Sequence, residues 1–125
     1  MGSQLFAIAL GGALGAVMRF GVSSGVYHWL GRGFPWGTFA VNVLGSLTMG
    51  LLTVLMIERF NVGSDIRAAV LTGGLGAFTT FSTFSVETVG LIEQGDILKA
   101  GLNMLVSVLV CVSMCWVGLL LGRQL

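Results

Sequence analysis

The stretch Ala100–Leu121, AGLNMLVSVLVCVSMCWVGLLL, carries no Asp, Glu, Lys or Arg. A helical run of this length crosses a bilayer, because about 20 residues at about 1.5 Å rise each cover a hydrocarbon core of about 30 Å. Outward from it toward the N-terminus lie three runs of the same character, Leu5–Trp29, Trp36–Ile57 and Ile66–Ile92. The sequence therefore predicts an all-α membrane protein, a single domain over residues 1–125 with four transmembrane helices at 5–29, 36–57, 66–92 and 100–121. The gaps hold the turn-forming residues Gly31, Gly33 and Pro35, then Asn61 and Gly63, then Gln94 and Gly95. They leave no room for a soluble domain and put both termini on one side.

Composition points the same way. Of the 125 residues 55% are hydrophobic and 9% charged, with a mean hydropathy of +0.98, whereas about 25% of residues are charged in soluble domains. Arg32, Glu58, Arg59, Asp65, Arg67, Glu93, Asp96, Lys99 and Arg123 fall in or beside the gaps, and only Arg19 and Glu87 interrupt the apolar runs. A net charge of +1 provides no basic field for nucleic acid and no acidic surface for a basic partner. Cys111 and Cys115 share a face of one predicted helix, which is neither a secreted disulfide framework nor a metal quartet. The N-terminus lacks a basic n-region and a small-residue cleavage site, so the first span is expected to remain in the mature chain.

Polar groups facing lipid lack partners, and four helices enclose a polar path poorly, so association with a second copy is expected. The pairs Gly11/Gly15, Gly12/Ala16 and Ser46/Gly50 have the small-xxx-small spacing of close helix contacts, either between copies or within one.

The segment Thr72–Ser85, TGGLGAFTTFSTFS, makes a poor continuous helix. Gly73, Gly74 and Gly76 each lower helix stability by roughly 1 kcal/mol relative to alanine. The hydroxyls of Thr79, Thr80, Ser82, Thr83 and Ser85 compete for backbone hydrogen bonds. The third helix is accordingly predicted to be broken near mid-membrane, at residues 76–80, and such breaks hold ions in channels and transporters. Phe78, Phe81 and Phe84 recur every third residue, so a helical turn is expected to stack them along one side among the hydroxyls, as site residues or as ordinary packing. Asn42 brings an amide into the second span, where it serves either as interhelical glue or as a ligand. Ser107, Cys111 and Cys115 make an i, i+4, i+8 line on the fourth, a polar stripe or small-residue packing. Arg19 and Glu87 need a water-filled vestibule or each other. His28 sits with Tyr27 and Trp29 in an aromatic belt and is assigned no role.

The runs GGALGAVMRF (11–20), PWGTFAVNVLGS (35–46) and GGLGAFTTFSTFSVE (73–87) together resemble the Fluc, or CrcB-like, fluoride channels, over essentially the whole chain. The resemblance implies an antiparallel dual-topology homodimer, multi-pass in the prokaryotic inner or plasma membrane. It would pass fluoride passively out of the cell through two pores lined by both protomers, without enzymatic activity. By motif position it makes Phe81, Phe84 and Asn42 pore-lining. Beside the resemblance, side-chain chemistry and helical spacing make Thr80, Ser82, Thr83, Ser107, Cys111 and Cys115 further candidate fluoride contacts, and the need of Arg19 and Glu87 for water puts them at a vestibule. The resemblance makes the carbonyls of Gly76 and Thr79 ligands of a structural sodium ion at the dimer interface. The chain departs from the family at Gly76-Ala77-Phe78 and at Cys111 and Cys115, where hydroxyls are common and a thiol is the weaker donor. A small proton-coupled multidrug-type exporter would need a carboxylate in the first helix, which has none. A non-conducting scaffold subunit would leave the hydroxyl cluster unused.

Orientation follows the Lys/Arg balance of short loops: Arg59, Arg67 and Arg123 on the side of the termini stand against Arg32 and Lys99 on the other. This near tie predicts insertion in both directions. Two lysines added beside Arg32 will bias single-copy insertion, and co-expression with an oppositely biased copy will restore transport. Labelling of the unmodified chain from one side only would rule out dual topology.

Overall fold

In the computed structural model, which describes residues 1–125, the apolar runs form four helical segments long and apolar enough to cross a membrane, Gly2–Leu30, Trp36–Arg59, Ser64–Glu93 and Ile97–Gln124, with no strand. Each reaches beyond the apolar run that defines it, because polar residues at its ends prolong the backbone hydrogen bonding. Each of the three connections contains one residue in the left-handed region, Gly31 (φ 80°), Asn61 (φ 49°) and Gly95 (φ 85°). Glycine adopts it without steric cost, and asparagine tolerates it better than other side chains do.

Backbones, rather than interlocking large side chains, set the helix contacts. A β-carbon at Gly50 would overlap the Cys115 carbonyl, and one at Gly118 the Leu47 carbonyl, so the second and fourth spans touch main chain to main chain. The first span meets the third in the same way, Gly11 against the Ala69 carbonyl and Gly15 against that of Gly74, while Gly73 abuts the Ile8 carbonyl. Gly11/Gly15 and the Gly50 end of Ser46/Gly50 are thus used within one protomer. Where hydrocarbon surrounds a protein, burial of apolar area drives helix association little, and close van der Waals approach of this kind takes its place. Only 20 of 125 residues are buried, so most large apolar side chains remain on the outside of the protomer.

The third span is the irregular one. It runs α-helical over Ser64–Arg67, π-helical over Ala68–Leu75 and α-helical again over Gly76–Phe78. Thr79 (φ −88°, ψ 158°) and Thr80 (φ −151°, ψ 118°) are extended, and Phe81–Glu93 is α-helical. A π turn admits an extra residue and rotates the turns after it, a feature common at functional sites. The second span also ends π-helically, over Val54–Arg59.

Substituting Gly15→Leu or Gly118→Leu is predicted to destabilise the protomer by roughly 1–3 kcal/mol through overpacking against backbone that cannot retreat. Gly21→Ala and Gly101→Ala, where a β-carbon meets nothing within 4 Å, will be neutral or stabilising. Thermal gel-filtration assays of the four variants in detergent measure the difference.

Candidate functional site

The extended pair Thr79–Thr80 is held by one side chain. Asn42 Nδ2 donates to the Thr80 carbonyl at 3.1 Å, and Asn42 Oδ1 accepts from the Thr80 N–H at 2.8 Å. The amide thereby pairs with Thr80 as a neighbouring strand would. In a continuous helix the Thr80 N–H would donate to the Gly76 carbonyl. Its diversion to Asn42 leaves that carbonyl without its helical donor, at an exposed position. Thr80 then caps the Phe81–Glu93 helix, its Oγ1 accepting from the Thr83 N–H at 3.1 Å and donating to Thr83 Oγ1 at 3.0 Å. The Thr83 N–H is in turn diverted from the Thr79 carbonyl. A third carbonyl of the irregular segment, that of Ala77, accepts from Arg19 Nε at 2.9 Å.

Beside this junction lies an open cavity of about 330 Å³. Asn42, Ser46 and Met49 line it from the second span, Thr79, Thr80, Phe81 and Phe84 from the third, and Ser107, Cys111 and Cys115 from the fourth. No charged side chain is among its lining residues. Phe81 and Phe84 face each other at 5.3 Å between ring centroids, tilted by 38°. Phe81 is 75% exposed on the protomer and Phe84 8%. The expected row of three rings does not form, because the extended residues separate Phe78 from the helix that carries the other two. Phe78 is buried and paired with neither.

The cavity brings together Asn42, Thr80, Phe81, Phe84, Ser107, Cys111 and Cys115, and also Thr79, expected as a carbonyl ligand. It excludes Ser82 and Thr83. The Ser82 side chain is exposed near Thr80 Oγ1, and that of Thr83 is engaged in the cap. Ser46 and Met49 also line the cavity, and Asn103 stands behind Ser107, beyond the residues expected. The first two follow Asn42 at i+4 and i+7, and Asn103 precedes Ser107 by one turn, so helical spacing from the named residues would have found all three. Asn103 is 2% exposed. Its Nδ2 donates to Thr88 Oγ1 at 2.9 Å, Thr88 donates to the Phe84 carbonyl at 2.7 Å, and Ser107 donates to Asn103 Oδ1 at 3.2 Å. The Ser107 hydrogen therefore points away from the cavity.

Arg19 and Glu87 do not pair; the one ion pair in the chain is Arg123–Glu58, at 3.5 Å on the exposed surface. This corrects the ion-pair alternative, since packing gives each group another partner. Arg19 serves Ala77, whereas Glu87 Oε2 accepts from the Tyr27 hydroxyl at 2.8 Å. Arg32 lies over the Tyr27 ring at 4.4 Å from its centroid. Glu87, Tyr27 and Arg32 line a second, polar cavity of about 340 Å³ with Asp96 and Lys99, and Arg19 is not part of it.

The sequence matches the family described as "CrcB-like protein, Camphor Resistance (CrcB)" over residues 6–119. Three relatives, each named fluoride-specific ion channel FluC, are similar over nearly the whole chain. The protein of Methylococcus capsulatus is 59% identical over 125 residues, which are 100% of this chain and 55% of that relative, so the chain spans about half of its length. That of Magnetococcus marinus is 56% identical over 96% of this chain and 98% of its own. That of Hydrogenovibrio crunogenus is 51% identical over 97% and 92%. A family match over residues 6–119 and identities above one half along nearly the full chain agree, and the chain belongs to the CrcB-like family.

Proposed function

We propose that this chain is one protomer of a passive, fluoride-selective ion channel that lets fluoride leave the cell, and that it catalyses no reaction. The observation that carries the reading is the uncharged cavity lined by an amide, hydroxyls and two aromatic rings at the start of the Phe81–Glu93 helix. A helix N-terminus presents a partial positive charge to an anion, and an aromatic ring presents a positive edge. Neither is a fixed cation that would hold fluoride too tightly to release, and successive weak sites favour throughput. One Nδ2 hydrogen of Asn42 is used on Thr80, and the other is available to the ion. The names of the relatives support the choice of fluoride.

The working unit in this reading is an antiparallel dual-topology homodimer with two pores, in which Phe81, exposed on one protomer, meets the partner. The near tie in Lys/Arg distribution supports it. The extended Thr79–Thr80 pair is the functional break of the third helix, and the Gly76 and Thr79 carbonyls, both stripped of helical donors, suit a structural sodium ion between the copies. Oxygen-only, neutral donors are the chemistry of a hard cation. The ion would supply only a fixed positive charge; the chain's own carbonyls position it. The Glu87–Tyr27 pair shapes the vestibule, and Arg19 braces the junction through the Ala77 carbonyl.

Purified protein in liposomes will release fluoride and retain chloride; equal release of both, or of neither, rejects the channel. Phe81→Ile and Phe84→Ile keep bulk and lose the polarised edge, so fluoride efflux is predicted to fall about tenfold, a change of about 1.4 kcal/mol, with dimerisation intact by gel filtration. Asn42→Leu also strands the Thr80 N–H and carbonyl, at about 1–3 kcal/mol each when buried, and is predicted to lose stability as well as transport. Unchanged efflux in all three variants returns these side chains to packing.

A further inference from the structure

The cavity holds an unusual set of donors. Met49, Cys111 and Cys115 all line it, and both cysteines are free and partly exposed. Cys111 and Cys115 stand four apart on the helix Ile97–Gln124, which puts their β-carbons about 5–6 Å apart on one face, within reach of a single ion between the two sulfurs. Gly50, next to Met49, lies so close to Cys115 that a β-carbon there would overlap its carbonyl oxygen. That contact fixes the thioether-bearing turn of the second span against the thiol-bearing turn of the fourth. No group of three His, Cys, Asp or Glu side chains converges anywhere in the chain, so the three or four protein ligands of a zinc site are not assembled. Thiolate and thioether sulfur favour soft metal ions, copper(I) among them, and so few ligands suit a monovalent ion.

We infer that Met49, Cys111 and Cys115 form a binding site for a soft monovalent metal ion of the copper(I) and silver(I) class, and that the ion bound there blocks the anion path. Each thiol that ligates gives its proton to water and gains a metal–sulfur bond, with no change in oxidation state. Two thiolates around one monovalent ion leave a net negative charge in an otherwise uncharged cavity, and this charge repels fluoride at short range. The block rests on the proposed channel function, whereas the binding does not.

Silver(I) is the probe, added as nitrate in chloride-free buffer to the full-length protein in liposomes. Bound silver is measured by mass spectrometry after desalting, and fluoride efflux by electrode, each variant compared with its own silver-free rate. The expected result is one silver per protomer, efflux lowered at least about tenfold, and reversal by a dithiol chelator. Cys111→Ser and Cys115→Ser, singly and together, will lose the silver and the block; Met49→Leu will weaken silver binding about tenfold. Should the double serine variant fail to elute as the wild-type species, the single variants and Met49→Leu decide. Absence of bound silver, or silver retained equally by the cysteine variants, overturns the site. Stoichiometric silver without block overturns its place in the path. Absence of fluoride efflux before silver is added rejects the channel function instead and leaves the binding measurement to stand.

Discussion

A backbone that leaves the helical conformation inside a membrane exposes an N–H and a carbonyl that hydrocarbon cannot satisfy. In this protein a single amide meets that constraint: Asn42 binds both polar groups of Thr80. Much of the site follows from it. The carbonyl of Gly76 is released, Thr80 is free to cap the next helix, and the start of that helix is presented to the cavity with Phe81 and Phe84 in its first turn. Arg19 completes the junction by occupying the Ala77 carbonyl. The cation is therefore spent on structure, beside the cavity rather than within it.

The glycine contacts make this junction possible. Gly45 faces Thr79 and Phe78 so closely that a β-carbon would collide with the Thr79 methyl, and it lies one turn beyond Asn42. Without that approach the amide would not reach Thr80. The same economy at Gly50 and Gly118 holds the second and fourth spans together and leaves the cavity between them lined by the small side chains of Ser46, Cys111 and Cys115.

Within the cavity, most hydroxyl hydrogens are already committed. Thr79 donates to the Leu75 carbonyl, Thr80 to Thr83, and Ser107 to Asn103. In the proposed channel, an entering anion would meet one remaining amide hydrogen, two aromatic rings and the positive end of a helix, a set of weak attractions suited to passage. The thiols add sulfur to this lining, which makes the same cavity attractive to soft cations.

By itself the sequence determined the four spans, the membrane setting and the family, because hydropathy over about 20 residues and a contiguous motif are properties read along one dimension. It also named Asn42, Phe81, Phe84 and the Ser107–Cys115 face, since each stands out chemically among apolar neighbours. Tertiary structure alone decided how these groups pair. Asn42 and Thr80 are 38 positions apart, and Tyr27 and Glu87 are 60, and no local periodicity specifies such partners. Arg19 finds a carbonyl rather than Glu87, Ser82 and Thr83 turn away from the cavity, and Asn103 holds Ser107 from one turn below it. Each outcome depends on how closely two helices approach and at what rotation, and glycine backbone contacts between distant segments set both.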